Sequence, residues 1–449
     1  MASADRRQFL RASAVGMFAG VIAGRPARGG LGVDDGPFAT DNEAIRAARR
    51  AALAVLKPGA AELRRGLEVH ADALVLEAYG FAPRAAIDGD AYRAAGEAGA
   101  SDRELNDLRE SMMMTRYATD AQERREFFAA FDAAGVTAIF QNTGEEGNDP
   151  LRLLGRLAHF TRATDLLGAD LPKLVRPADA RAAKAAGRHG LAFTTNGVPL
   201  GGRFEGVRDE FRELRLFHEL GVRMMHVTYN RRNPLGDGAG EPTDAGLSDF
   251  GRQAVAELNR VGVIVDVAHS GWRTSLEAAK ASTRPMVASH TTCGGVYRHF
   301  RGKPDEVGRA IAATGGLVGI CCIPKYLGGS GDVAAFLDHL DHAINTFGSE
   351  HVAIGTDVAY TSRNDAAERA KAGRRPDGRP YLAVAGPRWE HLWPDDSYVV
   401  PKGAEPTLAW TNWPLFTVGL LQRGHSEAVI RRVLGENVLR VWEANHAPA

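Results

Sequence analysis

The sequence predicts an α/β chain closed into a (β/α)8 TIM barrel. Three observations point there. Eight short apolar runs recur along the chain, longer helix-period stretches alternate with them, and residues of metal-binding and acid–base type gather just after the runs. Runs rich in Val and Ile with apolar residues at both parities are typical of parallel strands covered on both faces. Strand-then-helix repeated eight times favours closure into a barrel over an open doubly wound sheet.

The runs lie at 67–73, 136–141, 190–195, 223–229, 262–268, 285–289, 316–322 and 351–356. Helical patterns separate them. At 120–134, Phe127, Phe128 and Phe131 fall on one side. At 207–220, Phe211, Leu214, Phe217 and Leu220 form a stripe, and at 248–260 Phe250, Val255 and Leu258 do the same. Further helices are expected at 272–281, 305–313, 333–346 and 426–434. Two polar stretches, 75–119 and 361–408, interrupt the rhythm and are expected as long loops on the C-terminal face, where length beyond ~15 residues usually signals function. The second carries Trp389, His391 and Trp393, and suits either a cover over the site or a contact between subunits.

Composition narrows the function. Lys+Arg and Asp+Glu both number 55, so the formal net charge is zero and no basic surplus argues for a nucleic acid or an anionic membrane as partner. A small or zwitterionic substrate fits better. The three cysteines, Cys293, Cys321 and Cys322, form neither a disulfide framework nor a Cys-x-x-Cys metal motif, and are expected as buried free thiols. At the N-terminus, Arg6-Arg7-Gln-Phe-Leu10 precedes a short apolar stretch from Ala14 to Gly24. That layout resembles a twin-arginine export signal, too short for a membrane span. Residues 1–30 are therefore set apart as a signal segment, with 31–449 as a single barrel domain and a periplasmic or extracellular location expected.

The candidate chemistry sits at the expected strand ends. His70 and Asp72 close the first run, Asn196 follows the third, Tyr229 ends the fourth, His269 follows the fifth, His290 the sixth and Asp357 the eighth. In a barrel these ends share one rim, the face on which barrel enzymes hold their active sites. On a strand, His70-x-Asp72 would aim both side chains at one ion. Three imidazoles with carboxylates suit Zn²⁺ or a similar divalent ion, which activates water for amide hydrolysis. Asp357, beside that water, would carry protons to the leaving amine. Each residue alone has a structural alternative: a hydrogen-bonded loop histidine, or an Asp that caps a helix. His226, His339 and His342 are expected to be structural or solvated.

The run Leu220-Gly-Val-Arg223 to Val227-Thr-Tyr-Asn230, then Gly246-Leu-Ser-Asp-Phe-Gly251, Leu258-Asn-Arg260, Asp266-Val-Ala-His269, Ser289-His290, Arg301-Gly-Lys-Pro-Asp305 and Leu434-Gly-Glu-Asn437 to Arg440 resembles the membrane dipeptidase family, peptidase family M19. The resemblance spans roughly 65–445. It implies a barrel of the metallo-dependent hydrolase type with one or two Zn²⁺ ions. His70 and Asp72 would hold one ion, and His269 and His290 the other. It also implies Asp357 as catalytic acid/base, Arg301 as the group that holds a substrate carboxylate, and a homodimer. Two departures stand out. Asn196 occupies the place of a metal-bridging Glu, with Glu205 nearby in the following loop. Tyr229 replaces a histidine that contacts the substrate carbonyl. The expected function is hydrolysis of a dipeptide or related small amide or lactone. The alternative is a non-catalytic or single-metal barrel that binds a small ligand or a partner protein.

Overall fold

The computed structural model describes residues 36–382 and 389–446. The proposed signal segment lies outside them. Eight parallel strands form the barrel: β1 (Leu76–Gly80), β2 (Ala138–Asn142), β3 (Gly190–Thr195), β4 (Val222–His226), β5 (Ile264–Asp266), β6 (Val287–Cys293), β7 (Leu317–Ile320) and β8 (Val352–Ile354). Each pairs with the next in chain order. Between β8 and β1 a side chain closes the seam. Glu77 accepts the Thr356 backbone N–H at 3.0 Å and the Thr356 hydroxyl, and its other oxygen accepts the Trp410 indole N–H at 2.8 Å. Beyond the strands, Arg84 and Thr361 form a parallel bridge across the same seam.

Inside, Ala78, Phe140, Ala192, Met224, Ile264, Val287, Leu317 and Ala353 make an apolar layer. The C-terminal helix Asn437–Asn445 packs Val438, Leu439, Val441 and Trp442 against it, so the barrel is plugged rather than open. The outer faces of the strands merge with the helices in one large core that contains Leu67, Phe131, Leu214, Leu258, Phe336 and Trp413.

Seven of the eight expected strands occur where the sequence places them, shifted by a few residues at their ends. The first does not. Residues 67–73 belong to the helix Ala60–Asp72, whose buried side carries Gly66, Leu67, Val69 and His70. The true first strand follows at Leu76. The expected long loop 75–119 is largely ordered secondary structure. It contains β1 and the helices Gly89–Glu97 and Asp102–Thr119, the latter started by a Ser101–Glu104 capping box. The 361–408 stretch has only the short helices Asp365–Lys371 and Ala404–Thr407 and a turn at Trp389–His391 among its described residues. The three cysteines are buried and free, as expected.

Candidate active site at the barrel mouth

His70 and Asp72 do not belong to the site. Both sit at the end of a helix that precedes β1, on the side of the barrel where strands begin. The His70 ring pairs with Thr417 Oγ1 at 2.7 Å and with the Ala134 carbonyl at 2.9 Å. Gly135, left-handed at φ 62°, lies so near that a Cβ there would meet the ring at 2.8 Å. Burial pushes the His70 imidazole down to about 4, so it is a neutral structural group. Asp72 is exposed, with Arg431 3.8 Å away. At the end of the actual first strand, the i and i+2 positions facing the mouth are held by Tyr79 and Phe81, which cannot replace a His–Asp chelate.

The other expected residues do converge. His269 Nε2 and His290 Nε2 are 2.9 Å apart. The remaining nitrogen of each ring is engaged: His269 Nδ1 with Asn230 Oδ1 at 2.8 Å, His290 Nδ1 with Ser289 Oγ at 2.8 Å. Tyr229 stacks on His269 at 3.9 Å and Tyr79 stacks on His290 at 3.8 Å. Burial, reinforced by the Arg301 charge, lowers both imidazoles well below the usual histidine range. Neutral rings with hydrogens on Nδ1 leave two lone pairs facing one another, the arrangement that metal-binding histidines adopt when their outer nitrogens are held by hydrogen bonds. The pair therefore offers two of the ligands that a divalent cation takes.

Arg301 explains how the two histidines are set. It is fully buried in the loop that returns to β6 as the short strand Gly302–Lys303. One terminal nitrogen donates to the Ala268 carbonyl. The other donates to the His290 carbonyl at 3.2 Å and lies 3.4 Å from His269 Nε2. Its Nε has no partner. Lys303, beside it, donates to the Ser270 carbonyl at 2.5 Å and to Ser275 Oγ at 3.1 Å, and burial pulls its amine down to about 7.

Asp357 follows β8 with φ 58°, a left-handed conformation uncommon outside glycine. Burial raises its carboxyl to about 6, against the opposing pull of Arg301, His226 and Arg84. Asn196 follows β3, as expected. Its Oδ1 accepts the Tyr79 hydroxyl at 2.9 Å, and its Nδ2 lies 3.4 Å from Glu146 Oε1. Glu205 is exposed in the next loop and takes no part. Glu146, which sequence reasoning passed over, has His391 Nε2 at 2.9 Å. Burial opposes its ionisation, but His391 and Arg156 outweigh that and hold it down at about 2.

His391 belongs to a segment laid across the mouth. Glu390 pairs with Arg152 at 2.9 Å, Trp389 lies under Arg231 at 5.9 Å, and Trp393 meets Phe300 at 5.4 Å. Those partners come from the helix Pro150–Leu167 after β2 and from loops after β4 and β6. These contacts agree with one of the two sequence expectations for 361–408, a cover over the site.

His226 is the second omission, and the expectation that it is structural or solvated is only half right. It is fully buried at the end of β4, with ring centroids 5.4 Å from both His269 and His290. Its Nε2 is 2.8 Å from Asp266 Oδ2. The ligand atoms of His226, Asp266 and His290 all lie within 4.8 Å of one another. The signal that could have found it was a histidine and an aspartate on the last residues of adjacent strands. His339 and His342 are structural, as expected: His339 contacts the Leu327 carbonyl and the Cys293 N–H, and His342 pairs with Asp305.

A family model described as membrane dipeptidase (peptidase family M19) matches residues 104–366. The chain belongs to the membrane dipeptidase family. An uncharacterized dipeptidase of Schizosaccharomyces pombe is 31% identical over 236 residues, 51% of this chain and 48% of that protein, so the match spans about half the length of this curated relative. Among solved structures, an amidohydrolase from Pseudomonas aeruginosa is 25% identical with a TM-score of 0.61, covering 85% of this chain and 98% of the other. A metallopeptidase from Rhodobacter sphaeroides, liganded with a phosphinate mimic of the dipeptide L-Ala-D-Ala, shares the fold at 18% identity and a TM-score of 0.58, over 83% of this chain and all of the other.

Proposed function

We propose that this member of the family is an exported metal-dependent hydrolase that cleaves the amide bond of a dipeptide or a closely related small amide. The observation that carries the reading is the facing pair His269–His290, with the inner nitrogens 2.9 Å apart and turned toward one point and both outer nitrogens held. Family membership and the metallopeptidase neighbour support the reaction class. Zn²⁺ is the ion that a buried imidazole pair with a nearby carboxylate suits best. Bound there, it would supply Lewis-acid activation of a water molecule and of the scissile carbonyl.

The chain's own residues do the rest. Asp357, poised near 6, takes a proton from the attacking water and hands it to the leaving nitrogen, a task that favours a group with a pKa near working pH. Tyr229, its phenol raised well above the usual range by burial, stays protonated and donates to the oxyanion as it develops. Arg301 fixes both histidines through their neighbouring carbonyls, and its free Nε is the donor left for a substrate carboxylate. The segment at 389–393 excludes water above them. The twin-arginine layout at Arg6-Arg7 supports export of the folded chain to the periplasm or cell exterior.

Purified full-length protein loaded with Zn²⁺, assayed on a panel of L,L- and L,D-dipeptides and simple lactones, tests this. Release of free amino acid that disappears in His269→Ala and returns on metal addition to the wild type alone is the expected result. Wild-type protein that binds no divalent ion and turns over nothing on the panel would refute it and favour a ligand-binding barrel.

A further inference from the structure

The ligand set implied by the family does not close in this chain. The first-strand pair is absent, since Tyr79 and Phe81 stand where a chelate is required. Asn196, in the bridging place, has its oxygen occupied by the Tyr79 hydroxyl. Two imidazoles alone are too few for a tightly held first-row cation, which generally takes at least three protein ligands.

The missing donors lie deeper in the barrel. Asp266 Oδ1 accepts two backbone N–H groups, Ala268 at 2.9 Å and Ser289 at 3.1 Å, which fixes the carboxylate. Its Oδ2 is aimed at the histidine cluster. That oxygen and both nitrogens of His226 are fully buried, and none has a hydrogen-bond partner in an acceptable direction. The 2.8 Å approach of His226 Nε2 to Asp266 Oδ2 is therefore a close but misaligned contact. A buried polar atom left unpaired costs ~1–3 kcal/mol, and a buried nitrogen and oxygen that face each other without an aligned hydrogen bond require an explanation. A cation among them provides it. The strands supply the donors in sequence: His226 on β4, Asp266 on β5, His290 on β6, with His269 just beyond β5.

We infer that this chain has moved its metal inward to a mononuclear site held by His226, Asp266 and His290, whose ligand atoms lie within 4.8 Å of one another, with His269 drawn in through its contact with His290 as the fourth ligand when the ion binds. The inference rests on the metal-dependent reading above and deepens it. The resulting three imidazoles and one carboxylate select Zn²⁺, Co²⁺ or Ni²⁺ over Mg²⁺ or Ca²⁺.

The test uses full-length protein stripped with a chelator and titrated with Co²⁺ alone. Stoichiometry is read by elemental analysis, and ligation by the visible absorption of the bound ion. One ion per chain is expected. His226→Gln and Asp266→Asn should each weaken Co²⁺ binding about a hundredfold or more and alter the spectrum, while His70→Ala leaves both unchanged. X-ray absorption of the Zn²⁺-loaded wild type, which needs no variant to fold, should count three imidazoles. Two imidazoles, two ions per chain, or unchanged binding in both folded variants while His269→Ala loses the ion, would overturn the inward site and leave the hydrolase reading standing. A wild type that binds no ion would end both.

Discussion

Replacing Asp357 with Asn should make the protein more stable and nearly inactive, and the size of the gain follows from burial. Asn tolerates the left-handed backbone at this position as well as Asp does, so the change removes the charge and little else. The carboxyl titrates at 3.8 in the unfolded chain and at about 6 in the fold, raised first by burial. Between those values the folded state binds more protons than the unfolded state, so stability falls as pH rises. The loss is complete above about 6. At ~1.4 kcal/mol per pH unit it amounts to about 3 kcal/mol, none of which Asn incurs. Urea denaturation of the chelator-treated wild type and variant should therefore show Asp357→Asn ahead by about 3 kcal/mol near pH 8, with the gap closing as pH falls from about 6 to about 4.

Metal sharpens the test. A cation beside Asp357 favours the carboxylate, so adding Zn²⁺ should narrow the gap. In the same variant kcat/KM should fall by about 10²–10⁴, the usual contribution of a general acid–base. The wild-type profile should lose activity about tenfold per pH unit on its acid side, with the midpoint below about 6 because the bound cation favours the carboxylate. An Asn variant that is less stable near pH 8, or whose advantage does not change with pH, would refute the reasoning.

Three further outcomes are expected. His70→Ala should lower stability by ~2–4 kcal/mol through a cavity and an unpaired Ala134 carbonyl, without changing metal content; denaturant melts and elemental analysis check both. Glu77→Ala should cost ~3–5 kcal/mol in the same melts, since it strands the Thr356 and Trp410 N–H groups at the barrel seam. The combined change Tyr79→His, Phe81→Asp and Asn196→Glu rebuilds a first-strand chelate and a bridge. It should raise bound metal from one ion toward two per chain, and no gain would mean that these positions do not face the rim as the strand places them.

Most of the barrel was legible because strand and helix periods differ and because β2 to β8 are apolar at both parities. The first strand was misplaced for a specific reason. Leu67, Val69 and His70 are close enough together to read as a short apolar run, yet Leu63, Gly66, Leu67 and His70 also fit the i, i+3, i+4, i+7 stripe of a helix, and the helix wins. The run Leu74–Leu76, four residues on, is the strand's own signal. His226 was lost by the same kind of boundary error. With the fourth strand expected to reach Tyr229, the alternation set His226 on the opposite face. The strand ends at His226, the chain then turns, and both side chains reach the mouth. His269, His290 and Asp357 were legible because they directly follow or lie within apolar runs whose ends a two-residue error does not move off the rim.

Charge supplies an argument for one ion that does not depend on ligand geometry. A two-cation centre in a dry barrel mouth must be matched by several carboxylates, because unmatched charge in such a place is costly. Here the places implied for His, Asp and Glu hold Tyr79, Phe81 and Asn196, all neutral. Of the acidic groups near the site, Glu146 is already paired with His391 and further neutralised by Arg156, and burial raises the Asp357 carboxyl to about 6. Arg301 adds a fixed positive charge within 3.4 Å of His269. That leaves Asp266, lowered despite its burial by His226 and by hydrogen bonds from the chain, as the carboxylate fully committed to the centre. Even with Asp357 ionised, two carboxylates set against the Arg301 charge can offset one divalent ion but not two, and Asp266 lies at the inner end of the histidine cluster.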